Sequence, residues 1–194
     1  MLAGSLKPDA RVLVEAGSWR AFLPAEISFG NYRDVFVRVD FIHYLFNSLL
    51  INGIIVGTGL LVNSLAGYAF ARLPWRGREL LFGLVLALMI IPLESIAVPL
   101  FYLVTTAGWR DTYLVQIVPF IANAFFIYLF YTFFLGMPRE LEEAARVDGA
   151  GVLRTFFSII VPNAKPVFAS VAILTFLTQW GSFLWPLMVT SGER

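Results

Sequence analysis

The chain has 194 residues, 59% of them apolar and only 14% charged, with 14 Lys+Arg against 13 Asp+Glu. A soluble domain carries about 25% charged residues, so this composition excludes a soluble fold and indicates an integral membrane protein, while the balanced charge says nothing about partners. Cysteine is absent, which excludes disulfides, thiolate metal sites and a thiol nucleophile.

Residues 1–43 alternate apolar and charged side chains and lack the clean apolar run of a cleavable signal peptide. Pro8, Pro24 and Gly30 predict an irregular loop, placed outside the membrane. Its single histidine, His43, sits at the start of the first apolar run and suits a membrane interface; a metal site needs more ligands.

From Tyr44 to Ala71 there is no charge: YLFNSLLINGIIVGTGLLVNSLAGYAFA. At about 1.5 Å per residue this run can cross about 30 Å of hydrocarbon. Gly53, Gly57, Gly59, Ser64 and Gly67 would let neighbouring helices approach closely. The cluster RLPWRGRE follows, with Arg72, Arg76 and Arg78, and the positive-inside bias puts it in the cytoplasm. A second run, 80–104, is interrupted by Pro92, Glu94 and Pro99. The charge-poor turn TTAGWRDT fits the outer side. The third run, 113–135, contains Pro119 and Asn123; the fourth, 166–190, ends in SGER. The reading is an all-α, polytopic transmembrane helical bundle with about four spans at 44–71, 80–104, 113–135 and 166–190, within a membrane domain 44–190.

Between the third and fourth runs lies a charged loop, 136–165, bearing Arg139, Arg146, Arg154 and Lys165; alternation of sides places it in the cytoplasm. Met137-Pro138 predicts a helix start, since proline suits the first helical position. Glu140, Glu142 and Glu143 favour the positive end of the dipole, Arg146 the negative end, and Glu142 and Arg146 are spaced for an i,i+4 pair. Asp148-Gly149 predicts the stop, with glycine left-handed at the C-cap. A second helix can run from about Gly151 to Ile160, ended by Val161-Pro162. This helix–turn–helix could dock on a soluble partner or rest on lipid headgroups.

The spacing Glu143-Ala144-Ala145, Gly149, Ile159, Val161-Pro162, with the triplet Asp148-Gly149-Ala150, resembles the EAA signature of bacterial ABC-importer permeases, with Val161 where the family has Leu. The segments FIHYLFNSLLI, GYAFARL, MIIPLESIAVPLFYL, GWRDTYLVQIVPFI and NYRDVF resemble the carbohydrate-uptake branch, the type of the smaller membrane subunit of maltose transporters. That resemblance implies a type I importer permease in the bacterial inner membrane, multi-pass, for a sugar or polyol. The loop would be a coupling helix, with Glu143, Ala144, Ala145, Asp148, Gly149 and Ala150 seated in a separate ATPase subunit. ATP and Mg would bind that partner and no cofactor this chain; a second permease subunit, an extracytoplasmic solute-binding protein and membrane lipid complete the partners. Family members normally have six spans, so the chain resembles a permease truncated at both ends. In the fourth run the family shows Trp-Asn-Asp/Glu-Phe where WGSFLWPL stands here, so Gly181 and Ser182 replace the polar pair.

The candidate pathway-lining residues are Glu94, Asn123, Gln179, Trp180, Ser182 and Trp185. Glu94 is the only formal charge inside a predicted span, costing about 2.5–3.5 kcal/mol on insertion scales unless paired or near water. A broken helix beside the path and a purely structural carboxylate both fit it. Asn123 and Gln179 suit interhelical hydrogen bonds or pore lining. Trp75, Trp109, Trp180 and Trp185 suit aromatic-belt anchors, with sugar stacking as a second reading for Trp180 and Trp185. No P-loop G-x-x-x-x-G-K-[ST] occurs, no nucleophile–base pair or metal cluster is spaced for catalysis, and basic residues are too few for nucleic acid. The chain therefore reads as a transport subunit and not an enzyme, the rivals being a permease for another small solute or an ion-coupled transporter or channel.

Overall fold

The computed structural model describes residues 5–6, 27–38 and 40–191, and every regular element among them is helical. The chain divides into two compact units, 1–49 and 50–194.

In the first unit, Gly30–Arg38 forms a helix, α1, braced by an exposed i,i+4 pair between Arg38 and Asp34 at 2.6 Å. Part of the segment expected to be an irregular loop is therefore helical; Pro8 and Pro24 lie outside the described residues. Asp40 Oδ1 accepts from the His43 backbone N–H at 3.3 Å, where α2 (Phe41–Arg72) begins. The His43 ring shares a 3.0 Å hydrogen bond with Asn47 one turn later, a local contact that occupies it.

α2 has 32 residues, about 48 Å at the usual helical rise. It is the one helix among the described residues that is long and apolar enough to cross a membrane alone; three bent pairs raise the number of spans to as many as four. The second run is split into α3 (Arg78–Leu88) and α4 (Leu93–Thr106), bent by 102°. Pro92, extended at φ −70° and ψ 148°, cannot continue α3 and instead starts α4. The third run is α5 (Tyr113–Ile117, continued by a 3₁₀ turn Val118–Phe120) and α6 (Ala124–Leu135), bent by 40°.

The loop between the third and fourth runs holds α7 (Glu140–Val147) and α8 (Val152–Asn163). α7 starts two residues after Pro138, and α8 runs through Pro162 instead of stopping before it. The reason is a π-helical turn at Phe156–Ile160: Val161 N–H bonds Phe156 O, five residues back, just ahead of the missing proline donor. The Asn163 side chain donates to Ile159 O at 2.7 Å. An 82° bend at Ala164 leads into α9 (Lys165–Trp180). The 166–190 run is not one helix either: α9 ends at Trp180, and α10 (Leu184–Val189) is separate.

The buried residues of α2 include Ile55, Gly59, Asn63, Gly67 and Ala71, steps of four that keep to one face. That face meets α6. A Cβ on Gly67 would lie 2.6 Å from Phe130 Cβ and 3.0 Å from both Ile127 O and Tyr131 N. Around this close approach Tyr68, Phe126, Phe130, Phe134, Phe156, Ile160 and Val171 form one apolar cluster joining α2, α6, α8 and α9. A second cluster, Val104, Val115, Trp185 and Val189, joins α4, α5 and α10.

Candidate functional site

α7 is the most sharply two-faced of the described helices. Glu142 and Ala145 are buried, whereas Glu143, Ala144, Arg146, Val147 and Asp148 are exposed, Val147 at 88%. Three acids in its first turn and Arg146 in its last complement the dipole. The helix stops as expected. Gly149 adopts φ 76°, its N–H bonds Arg146 O at 3.0 Å, and Ala150 N–H bonds Ala145 O at 2.9 Å. These two bonds make a Schellman cap, which requires the left-handed residue that glycine supplies without a Cβ clash. The second arm continues the exposed apolar surface with Val152 and Leu153, 48% and 64% exposed.

The expected Glu142–Arg146 pair gives way to a longer-range one. Glu142 Oε1 lies 3.4 Å from Nε of Arg72, the last residue of α2, and both side chains are nearly sealed from solvent. Arg72 Nη2 also donates to the carbonyls of Phe134 and Met137, where α6 ends. Beside this group a cavity of about 280 Å³ is lined by Arg72, Arg78, Arg139, Glu142, Glu143 and Arg146 among others.

A second, larger cavity of about 620 Å³ lies at the helix breaks. Leu93 and Glu94, in the first turn of α4, line it with Asn123 at the start of α6, Thr178 and Gln179 of α9, and Ser182, Phe183 and Trp185 beyond the α9 break. Five of the six candidate pathway residues meet here although they come from three separate runs. Asn123 Oδ1 caps α6, accepting from Phe125 N (2.9 Å) and Phe126 N (3.3 Å), and this leaves its amide N–H₂ for other partners. Glu94 is exposed to the cavity, at a helix start where the dipole favours a carboxylate.

The two tryptophans part company. Trp185 is 2% exposed and donates Nε1–H to Val115 O at 3.0 Å, so it is a core anchor within the cavity wall and not a belt residue. Trp180 is outside the lining set; it is half exposed and stacks on Phe176 at 5.3 Å.

Two residues central to this geometry were not singled out by sequence. Arg72 reads as one basic residue of a cytoplasmic cluster. Asn63 is 1% exposed; its Nδ2 donates to Ile121 O at 3.1 Å and its Oδ1 accepts from Asn123 N at 2.9 Å. It thus pairs two backbone groups at the α5–α6 break. A polar residue midway along an uncharged run was the available signal.

Residues 59–193 match the family described as the binding-protein-dependent transport system inner membrane component. The chain is 37% identical to the arabinooligosaccharides transport system permease protein AraQ of Bacillus subtilis, across all of this chain and 69% of that protein. It is 36% identical to the lactose transport system permease protein LacG of Rhizobium radiobacter, over 83% of this chain and 59% of the relative. Identity to the trehalose transport system permease protein SugB of Mycobacterium tuberculosis is 37%, over 96% and 67%. A solved bacterial ABC transporter involved in import of the acidic polysaccharide alginate superposes with a TM-score of 0.86, at 26% identity, covering 99% of this chain and 67% of that one.

Proposed function

The chain belongs to the family of binding-protein-dependent transport system inner membrane components, and from that premise we propose that it is the permease of an ATP-driven importer of a sugar or polyol, worked through α7 by a separate ATPase. As a family member it is a membrane transport subunit and not an enzyme. The importer reading adds a second permease and an extracytoplasmic solute-binding protein, with ATP and Mg held by the ATPase. It places the chain in a bacterial inner membrane as a multi-pass protein, with the α7–α8 loop in the cytoplasm.

The observation that carries the coupling reading is the surface of α7 and α8. Val147, Val152 and Leu153 stand exposed beside Glu143 and Asp148 on a rigidly capped turn. Large apolar side chains displayed around a fixed bend suit burial in a protein cleft. Closure of the ATPase pair would displace α7, and the spans would rearrange around the cavity at Glu94, Asn123, Gln179 and Ser182. That cavity suits a polyhydroxyl solute: an amide, a carboxylate and hydroxyls offer both donors and acceptors, and Phe120, Phe125 and Phe183 offer apolar faces. Its lining residues include one acid and no base, which favours an uncharged solute over an anion.

The test is site-specific cross-linking in the assembled transporter. Glu143→Cys, the only thiol of an otherwise Cys-free chain, should form a covalent adduct with the ATPase. An assembled complex that yields none rejects the coupling reading.

A further inference from the structure

Docking explains how α7 meets a motor, but not how its displacement reaches helices that cross the membrane. The chain path alone links α7 to the end of α6 through Gly136–Arg139, a short non-helical connection. α2 joins the α6–α7 corner from 62 to 70 positions away in sequence, through Arg72.

One guanidinium there serves three elements. It ends α2, donates to the Phe134 and Met137 carbonyls at the end of α6, and faces Glu142 of α7 at 3.4 Å. The side chains are 3% and 7% exposed, so the two charges face each other with little screening by bulk solvent. A carbonyl at a helix end keeps a lone pair free for a further donor, as Phe134 O does beside its 3.2 Å bond from Met137 N–H, and the local negative dipole favours a cation. Arginine suits the position because its planar fork offers several fixed donors at once; lysine presents one compact charge. The pair is also asymmetric in its consequences: removing one partner leaves an uncompensated buried charge, whereas replacing both does not.

Farther along, α2 and α6 are locked twice more. Gly67 brings the two backbones together at Ile127, Phe130 and Tyr131. Asn63, about 14 Å along the axis from Arg72 at the usual helical rise, holds Ile121 O and Asn123 N at the edge of the large cavity. The α2–α6 pair therefore has one fixed end at α7 and the other at the cavity wall.

We propose that Arg72 is a positioning residue for coupling: it clamps α7, through Glu142, to the joined ends of α2 and α6, so that displacement of α7 moves both helices together and reaches the cavity at Asn123. The proposal rests on the coupling reading above, and its test separates the two.

The experiment uses the complete transporter with a single thiol introduced by Ser182→Cys in the cavity lining. Its labelling rate by a methanethiosulfonate reagent is compared without nucleotide and with ATP plus vanadate. In parallel, Glu143→Cys is cross-linked to the ATPase. The parent should cross-link and show a nucleotide-dependent labelling rate; loss of either defeats the coupling reading itself. Arg72→Lys and Glu142→Gln should keep the cross-link but lose the nucleotide-dependent difference in labelling. The double variant Arg72→Met with Glu142→Met removes both buried charges, so it should assemble and cross-link as the single variants do while the labelling difference stays lost. A full labelling difference in Glu142→Gln, or in the double variant, would show that the pair only fills space and would overturn the proposal.

Discussion

Gly67→Ala offers the sharpest check on how the α2–α6 pair is built. The added methyl would stand 2.6 Å from Phe130 Cβ, where carbon atoms prefer about 3.5–4.0 Å, so the contact is short by roughly 1 Å. No flexible side-chain tip can yield. The other two neighbours are backbone atoms of Ile127 and Tyr131, each at 3.0 Å, and Phe130 itself is 0% exposed. Relief requires moving α6 as a body. Overpacking of this kind costs about 1–3 kcal/mol, and a backbone-walled site belongs near the top of that range. Alanine recovers about 1 kcal/mol through its better helix propensity. The net expectation is a loss of about 1–2 kcal/mol, up to roughly thirtyfold in the folding equilibrium.

The same helix supplies the control. Gly53 and Gly57 have nothing within 4 Å of an added Cβ, so alanine there should be stabilising by about 0.5–1 kcal/mol. The assay is reversible unfolding of the purified protein in mixed micelles, followed by helical circular dichroism, with midpoints compared within the set. Gly67→Ala should fall below the parent and Gly57→Ala above it. Equal midpoints for the two would refute the close approach, and with it the view that small residues, in the absence of a hydrophobic drive between lipid-embedded helices, set this contact.

Four further substitutions probe the sites directly. Asn63→Leu strips partners from Ile121 O and Asn123 N, two part-buried hydrogen bonds at about 0.5–1.5 kcal/mol each; the same unfolding series should record the loss, and uptake by the assembled transporter should fall chiefly through a raised KM. Gly149→Pro cannot adopt φ 76° and deletes the N–H that bonds Arg146 O; membrane insertion should persist while transport and ATPase stimulation are lost, as measured in proteoliposomes. Trp185→Phe loses a buried hydrogen bond to Val115 O and should destabilise by about 1–2 kcal/mol, whereas Trp180→Phe, at a half-exposed stacked position, should stay within about 0.5 kcal/mol.

The features legible in the sequence were those fixed by near neighbours. The cap at Gly149 needs only the residues within one turn, so Asp148-Gly149 announced it. The uncharged run of α2 likewise reported its own length. Hydropathy is blind to direction, however. Runs 80–104 and 113–135 are apolar along most of their length, and Pro92 and Pro119 mark where a helix can break without saying that one bend is 102° and the other 40°. Nor could the sequence distinguish among the small residues of α2. Gly53, Gly57, Gly59 and Gly67 all permit close approach, yet Gly67 meets the neighbouring helix hardest because it faces Phe130.

The misreading of Glu142 follows the same logic. An i,i+4 arginine is the nearest opposite charge in sequence, and an exposed pair of that type contributes only about 0.3–0.5 kcal/mol. Once Ala145 and Glu142 face inward, the weak local partner cannot offset desolvation, and a buried carboxylate requires a buried cation. Arg72 is that cation because α2 ends where α6 does, a coincidence set by two helix lengths and the Gly67 contact between them. Convergence of Glu94, Asn123, Gln179 and Ser182 on one cavity has the same origin. Each stands at or near a break, and a break in a membrane helix frees backbone groups that must be paired or hydrated. Polar side chains therefore gather there, and the residues that interrupt the helices also build the polar wall of this cavity.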